Sequence, residues 1–306
     1  MLSRARRALV LGIGGGGDVA GALTTARLCE SLGAEIVMGG VAWERLPIDP
    51  RPGPRPAEEI VGGQPLAEGV VVAGPDTRTP QGATFAEAHM ARFLGRDVLL
   101  LDILGGPKSV EKGLADAARA LGTELMVFVD VGGDVLGEGS EPGLASPLCD
   151  AVMLAAAARL ERRGFPVLGG VFGPCCDGEL TIEELLARLA EIAAAGGLVG
   201  ACGMTDDVTD ELESVTRIIP TEASAQAIRC ARGETGVTTI RRGRRTVTLS
   251  PLGAMTFYFD PAIAVGGPAR LANAVVEAGS LEEANEILRS RAVTTELDFE
   301  RAFTEA

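Results

Sequence analysis

The chain has 306 residues, of which 46% are hydrophobic and only 4% aromatic. That is enough for one large domain or two ordinary ones, with a core of Ala, Val, Leu and Ile of the kind that packs helices on a buried parallel sheet. Lys plus Arg number 28 against 42 Asp plus Glu, a net charge of −14, which repels phosphate backbones and anionic lipid and argues against nucleic-acid and membrane partners. The six cysteines (Cys29, Cys149, Cys175, Cys176, Cys202, Cys230) form no Cys-x-x-Cys pair, and the single histidine is His89, so neither a zinc site nor a disulfide framework is expected.

The basic start, Met1 to Arg7, is followed by only four apolar residues before glycine, whereas the apolar region of a secretory signal needs about 7–15. Ala8 to Ile13 therefore reads as a buried first strand, and a cytoplasmic location is expected. Asp18 to Leu32 reads as a helix closed by Gly33, Glu35 to Met38 as a second strand, and Val70 to Ala73 as a short one. Around that short strand, residues 43–80 are rich in Pro and Gly and read as a long irregular functional loop. Thr84 to Leu94 is expected to be a helix opened by a Thr84–Glu87 capping box. Asp97 to Ile103 reads as a strand, Ser109 to Leu121 as a helix and Leu125 to Val129 as a strand. Ser146-Pro147 opens a helix to about Arg163 with Ser146 as its cap. Val167 to Val171 is a strand, and Thr181 to Ala194 a helix with a Thr181–Glu184 box. Thr238 to Leu249 reads as a hairpin across Arg241 to Arg245, with Met255 to Phe259 as its third strand, an antiparallel extension over about 236–260. The C-terminus returns to helix behind a Ser280–Glu283 box. The alternation predicts one α/β domain over residues 1–306: a doubly wound, Rossmann-like, mostly parallel sheet with an antiparallel hairpin extension and C-terminal helices.

In such a sheet, ligands bind at the carboxyl ends of the strands, and three loops fall there. The first is Gly12-Ile13-Gly14-Gly15-Gly16-Gly17-Asp18, joining the first strand to a helix. Its glycines permit positive φ and let backbone N–H groups approach an anion at a helix N-terminus. Gly14, Gly15, Gly16, Gly17 and Asp18 are therefore candidate binding residues; Asp18 could cap the helix, orient water or carry a metal. Trp43 and Arg45 follow the second strand, where an aromatic could stack on a base and an arginine could bind phosphate. No acid ends that strand to bind a ribose; the nearest is Glu44. Dinucleotide recognition is thus less well supported than generic phosphate binding.

The second loop is Asp130-Val131-Gly132-Gly133-Asp134, with Glu138, Glu141, Ser146 and Asp150 beyond it. Asp130 and Asp134 could bind a hard divalent ion, grip sugar hydroxyls or transfer protons. The third, Gly173 to Glu179, supplies Asp177 and Glu179 to the same crevice. Cys175 and Cys176 lack a histidine nearby in sequence and are not expected to act as nucleophiles.

Gly14 to Val19, Trp43-Glu44-Arg45, Asp130 to Asp134, Ser146 to Ala151 and Asp177 to Leu180 together resemble the domain of unknown function 1152 family, mostly archaeal with some bacterial members. The likeness spans nearly the whole chain and adds weight to these residues, but implies no reaction. From the residues, the expected function is an enzyme acting on a phosphorylated small molecule or nucleotide by hydrolysis or group transfer. The glycine loop would hold the phosphate. Asp130, Asp134, Asp177 and Glu179 would supply metal or sugar binding or acid–base catalysis. Alternatives are an NAD(P)- or flavin-dependent oxidoreductase and a non-catalytic nucleotide sensor. A divalent metal such as Mg2+ and a nucleotide are the candidate cofactors and a small anion the candidate ligand; a homo-oligomer is left open.

Overall fold

The computed structural model describes residues 1–304. In chain order its strands are β1 (Arg7–Gly12), β2 (Glu35–Val41), the short pair β3 (Trp43–Glu44) and β4 (Gly53–Pro54), β5 (Gln64–Ala67), β6 (Val70–Ala73), β7 (Val98–Leu101), β8 (Leu125–Val131), β9 (Val167–Phe172), β10 (Leu198–Gly203), β11 (Gly236–Ile240), β12 (Arg245–Leu249) and β13 (Met255–Phe259). The helices are α1 (Asp18–Ser31), α2 (Ala86–Leu94), α3 (Gly106–Leu121), α4 (Pro147–Arg162), α5 (Ile182–Ala194), α6 (Asp206–Thr216), α7 (Glu222–Ala231), α8 (Pro261–Gly266), α9 (Arg270–Val275), α10 (Leu281–Ser290) and α11 (Glu296–Thr304). Among the described residues no helix is long and apolar enough to cross a membrane.

Nine strands form one sheet in the order β10-β13-β9-β8-β1-β2-β7-β6-β5. The five central strands, β9 to β7 in that order, are parallel, while β13, β6 and β5 run antiparallel to their neighbours. From β1 the chain winds outward through β2 to β7, then returns to β8 on the other side of β1 and continues to β9. The winding reverses between β1 and β8, and that is where a doubly wound sheet opens a crevice.

The apolar runs are continuous because both faces of the sheet are covered. Along β1, Leu9 and Leu11 enter one core with Met126 and Phe128 of β8 and the buried side of α4. Ala8 and Val10 enter the other, with Val127 and Val129 and helices α1 and α2. Period-two alternation thus fills two layers from one strand. Helix α4 is buried from Pro147 to Ala158, wedged between the sheet and α3, α8 and α9.

Four expectations need correction. The segment 43–80 is less irregular than expected: besides Val70 to Ala73, which forms β6 as read, it contributes β5 to the sheet edge and the β3–β4 pair. The hairpin β11–β12 forms a separate two-stranded sheet, and Met255 to Phe259 is not its third strand but inserts between β9 and β10. With three aromatic residues, Phe257, Tyr258 and Phe259, it belongs where both faces are covered, whereas hairpin strand β12 alternates exposed Thr246 and Thr248 with buried Val247 and Leu249. Helix α2 starts at Ala86 behind Phe85, without the Thr84–Glu87 box; its first turn is capped by Glu44, whose Oε1 accepts from the Ala86 N–H at 2.6 Å. Ser146 flanks α4 but its side chain does not cap the helix. The Thr181–Glu184 box forms as expected.

Candidate functional site

The glycine loop leaves β1 and turns directly into α1. Gly15 and Gly16 sit at φ +76° and +55°, which is what permits so tight a turn. The loop is tied inward. The Gly14 N–H donates to Asp18 Oδ2 at 2.9 Å, the Gly16 N–H to the Trp43 carbonyl at 2.9 Å, and Arg45 Nη2 donates to the Gly14 carbonyl at 2.6 Å. Asp18 thus places a carboxylate at the N-terminus of its own helix, where the backbone favours negative charge. Burial nevertheless pushes its pKa up to about 7, against the opposing pull of the Gly14 amide and Arg45.

Across the switch point, Asp130 stands at the end of β8, fully buried. No well-formed hydrogen bond reaches either of its oxygens among the described residues. One carboxylate oxygen each from Asp18, Asp130 and Asp150 lie within 4.8 Å of one another. The three side chains come from the start of α1, the end of β8 and the first turn of α4. A second triad, Asp134, Asp177 and Glu179, meets the same criterion. All four aspartates apart from Asp18 are nearly or wholly buried. Burial, followed by like charge, raises their pKa values: Asp130 beside Asp18 and Asp177, Asp150 beside Asp130 and Asp18, and Asp134 beside Glu179 and Asp150 all go well above the carboxylate range. Asp177, pushed by burial and Glu179, reaches about 7.

Glu179 is set apart by its partners. Its Oε2 accepts from the amides of Ala145 and Ser146 at 2.7 and 2.9 Å, its Oε1 accepts from the Ser146 hydroxyl, and Arg245 Nη1 pairs with it at 2.7 Å. It ties the turn before α4 to the β11–β12 hairpin, a structural duty.

Trp43 and Arg45 do not serve as expected. Trp43 is fully buried, with the Arg45 guanidinium 4.2 Å over its ring and its Nε1 donating to Glu300 at 2.8 Å, so no base can stack there. Arg45 is drawn towards Glu296 and Glu300 of α11 at 3.5 and 3.6 Å. Glu296 in turn accepts from the Leu148 and Cys149 amides at 3.0 and 2.8 Å, supplying the cap of α4 that Ser146 does not. Cys175 and Cys176 are buried; burial raises the Cys175 thiol, and its pairing with Cys230 together with burial raises that of Cys176, so neither is poised as a nucleophile.

Sequence reasoning noted Asp150 only in passing and missed Glu87 and Glu296. Glu87 is buried with Oε2 unpartnered. Burial, then Glu44 and Asp18, raises its pKa well above the usual value. A carboxyl raised on folding gives stability that is full below its unfolded pKa, near 4.3, and is lost as pH rises towards the folded value. Glu87→Gln should accordingly be close to neutral at pH 5 and stabilise the chain at pH 8 by about 1–3 kcal/mol. Urea unfolding at the two pH values measures this; equal effects at both would show that Glu87 is not held neutral.

Two cavities lie away from these residues, one of about 500 Å3 beside Arg289, Val293 and Asp298 and one of about 110 Å3 between Thr24, Met204 and Tyr258.

These features define a Rossmann-type α/β protein whose switch-point crevice is lined by acids rather than by open phosphate-binding amides. The family model described as a protein of unknown function (DUF1152) matches residues 9–304, and the chain belongs to that family. Comparison with curated proteins and with solved structures gave no match.

Proposed function

We propose that the chain is an enzyme acting on a phosphorylated small molecule or nucleotide, by hydrolysis or group transfer, in the crevice between β1 and β8. One observation carries the reading: Asp18, Asp130 and Asp150, from three separate elements, converge at the topological switch point of the sheet, the place where doubly wound proteins bind ligands. The N-terminal ends of α1 and α4 face the same point and add partial positive charge. Asp130, buried at this point without a hydrogen-bond partner, is placed to hold a cation or to exchange a proton with an attacking hydroxyl or a leaving oxygen. A phosphate approaching this edge meets negative charge, so it arrives with a cation.

The test is a panel of phosphorylated metabolite classes and nucleotides, read by release or transfer of phosphate with Mg2+ present. One class should be turned over, and Asp130→Asn should lower kcat by about 100-fold or more while the melting curve stays cooperative. If no compound is turned over, the enzymatic reading is wrong; binding without turnover would leave a sensor.

A further inference from the structure

We propose that Asp18, Asp130 and Asp150 together hold one divalent cation of the hard, oxygen-preferring class, Mg2+, Mn2+ or Ca2+. This deepens the reading above by naming what the acids bind, and only its use in catalysis rests on that reading.

An acidic edge facing water needs no ion, but this one does not face water. Asp130 is 0% and Asp150 2% exposed, and no well-formed hydrogen bond reaches either oxygen of Asp130 or Oδ1 of Asp150 among the described residues. Buried carboxylates are otherwise paired, hydrogen-bonded or bound to metal, because an isolated buried charge is very costly. The nearby guanidiniums are engaged elsewhere: Arg45 with the Gly14 carbonyl and the two glutamates of α11, and Arg245 with Glu179. Arg45 therefore draws Asp18 and Asp150 only through space, and Asp130 is left without a partner.

The geometry suits a single ion. Oxygens bound to one cation at about 2.1–2.5 Å lie no more than about 5 Å apart, and the three ligating oxygens fall within 4.8 Å of one another. Gly14 makes room for this approach, since a Cβ there would lie 2.7 Å from Asp18 Oδ2 and 3.1 Å from Asp150 Oδ2. The triad is all oxygen, which selects hard ions over zinc or copper. Cys149 is adjacent in sequence, but its Sγ is directed to the Ile13 carbonyl at 3.0 Å. The second triad is the weaker candidate, because Glu179 already has its arginine and three hydrogen bonds.

The full chain, freed of metal with EDTA and dialysed, should be titrated with Mn2+ by calorimetry and electron paramagnetic resonance, and melted with and without the ion. The expected result is about one Mn2+ per chain, displaced by excess Mg2+, with a higher melting temperature when bound. Asp130→Asn and Asp150→Asn should each weaken binding by about 100-fold. Without metal, Asp130→Asn should melt no lower than the wild-type chain, because it removes a buried charge that has no partner; a merely structural aspartate would give the opposite. Should one variant not fold, the other and the wild-type titration decide. The proposal is overturned if the wild-type chain binds no Mn2+, or if both variants bind it as the wild type does. No substrate enters these measurements. A chain that binds Mn2+ but turns nothing over loses only the enzymatic reading, and one that turns over a phosphorylated compound without binding Mn2+ loses only the ion.

Discussion

Gly132→Ala should destabilise the chain by about 3 kcal/mol or more, the sum of a backbone and a packing penalty. Gly132 lies just past the end of β8 at φ +132°, a conformation that residues with a Cβ rarely adopt. A Cβ there would sit 2.2 Å from Asp177 Cγ, so the Asp177 side chain, buried among other acids, would have to leave its place. The backbone around it cannot easily yield, because the Gly132 N–H donates to the Phe172 carbonyl at 2.9 Å and its own carbonyl accepts from the Cys175 N–H at 2.6 Å. These bonds lock the β8 and β9 loops together. Urea unfolding of Gly132→Ala, and of the same change combined with Asp177→Ala, separates the two penalties. The double variant should recover the packing part and keep the backbone part. A single variant within about 0.5 kcal/mol of the wild type would mean that the loop junction is not under this constraint.

Glu296→Ala is expected to cost about 2–4 kcal/mol. The Glu296 carboxylate is buried, and its two oxygens take the Leu148 and Cys149 amides at the start of α4. Those amides have no partner within the helix. Truncation leaves two buried donors unpaired and Arg45 with one carboxylate fewer. Glu296→Gln should recover part of the loss, because its amide oxygen still accepts from one N–H but brings no charge to the helix terminus or to Arg45. Chemical denaturation of the two variants beside the wild type measures both costs. If Glu296→Ala unfolds at the same urea concentration as the wild type, α11 does not hold α4 in solution.

Much of the central sheet can be read from the sequence, because a strand covered on both faces is an unbroken apolar run: Ala8 to Leu11, Val98 to Leu101 and Met126 to Val129 all show it. The edges cannot be read this way. Strand β10, Leu198-Val199-Gly200-Ala201-Cys202-Gly203, is largely exposed and glycine-containing and carries no strand pattern. Within residues 43–80, Val70 to Ala73 is legible as a strand, but β3, β4 and β5 are hidden among prolines. Met255 to Phe259 is visibly a strand, but its partner is chosen by the covered slot beside β9, which nearness to the hairpin in sequence does not reveal. At the site, Asp18, Asp130, Asp134 and Asp177 stand out because each abuts glycines at a strand end. Asp150 looks like an ordinary acid in a helix's first turn, and only the placement of α4 brings it to Asp18. Glu296 lies about 150 positions from the amides it caps, so no local signal marks it. Trp43 misled because position at a strand's carboxyl end does not show whether an aromatic ring is open to a ligand or covered by an arginine.

The chain has a single tryptophan, and Trp43 is placed where it can be used. Its carbonyl accepts from the Gly16 N–H, its ring lies under Arg45, and its indole N–H is held by Glu300. Charges on both sides of a buried indole shift its emission, so Trp43 is a built-in optical probe. A cation or ligand that rearranges Arg45, the loop or α11 would change its colour or intensity without any label. Displacement of α11 alone would open the ring to quenching by iodide or acrylamide. The fluorescence of one residue can therefore time the opening of the crevice, separately from any chemistry within it.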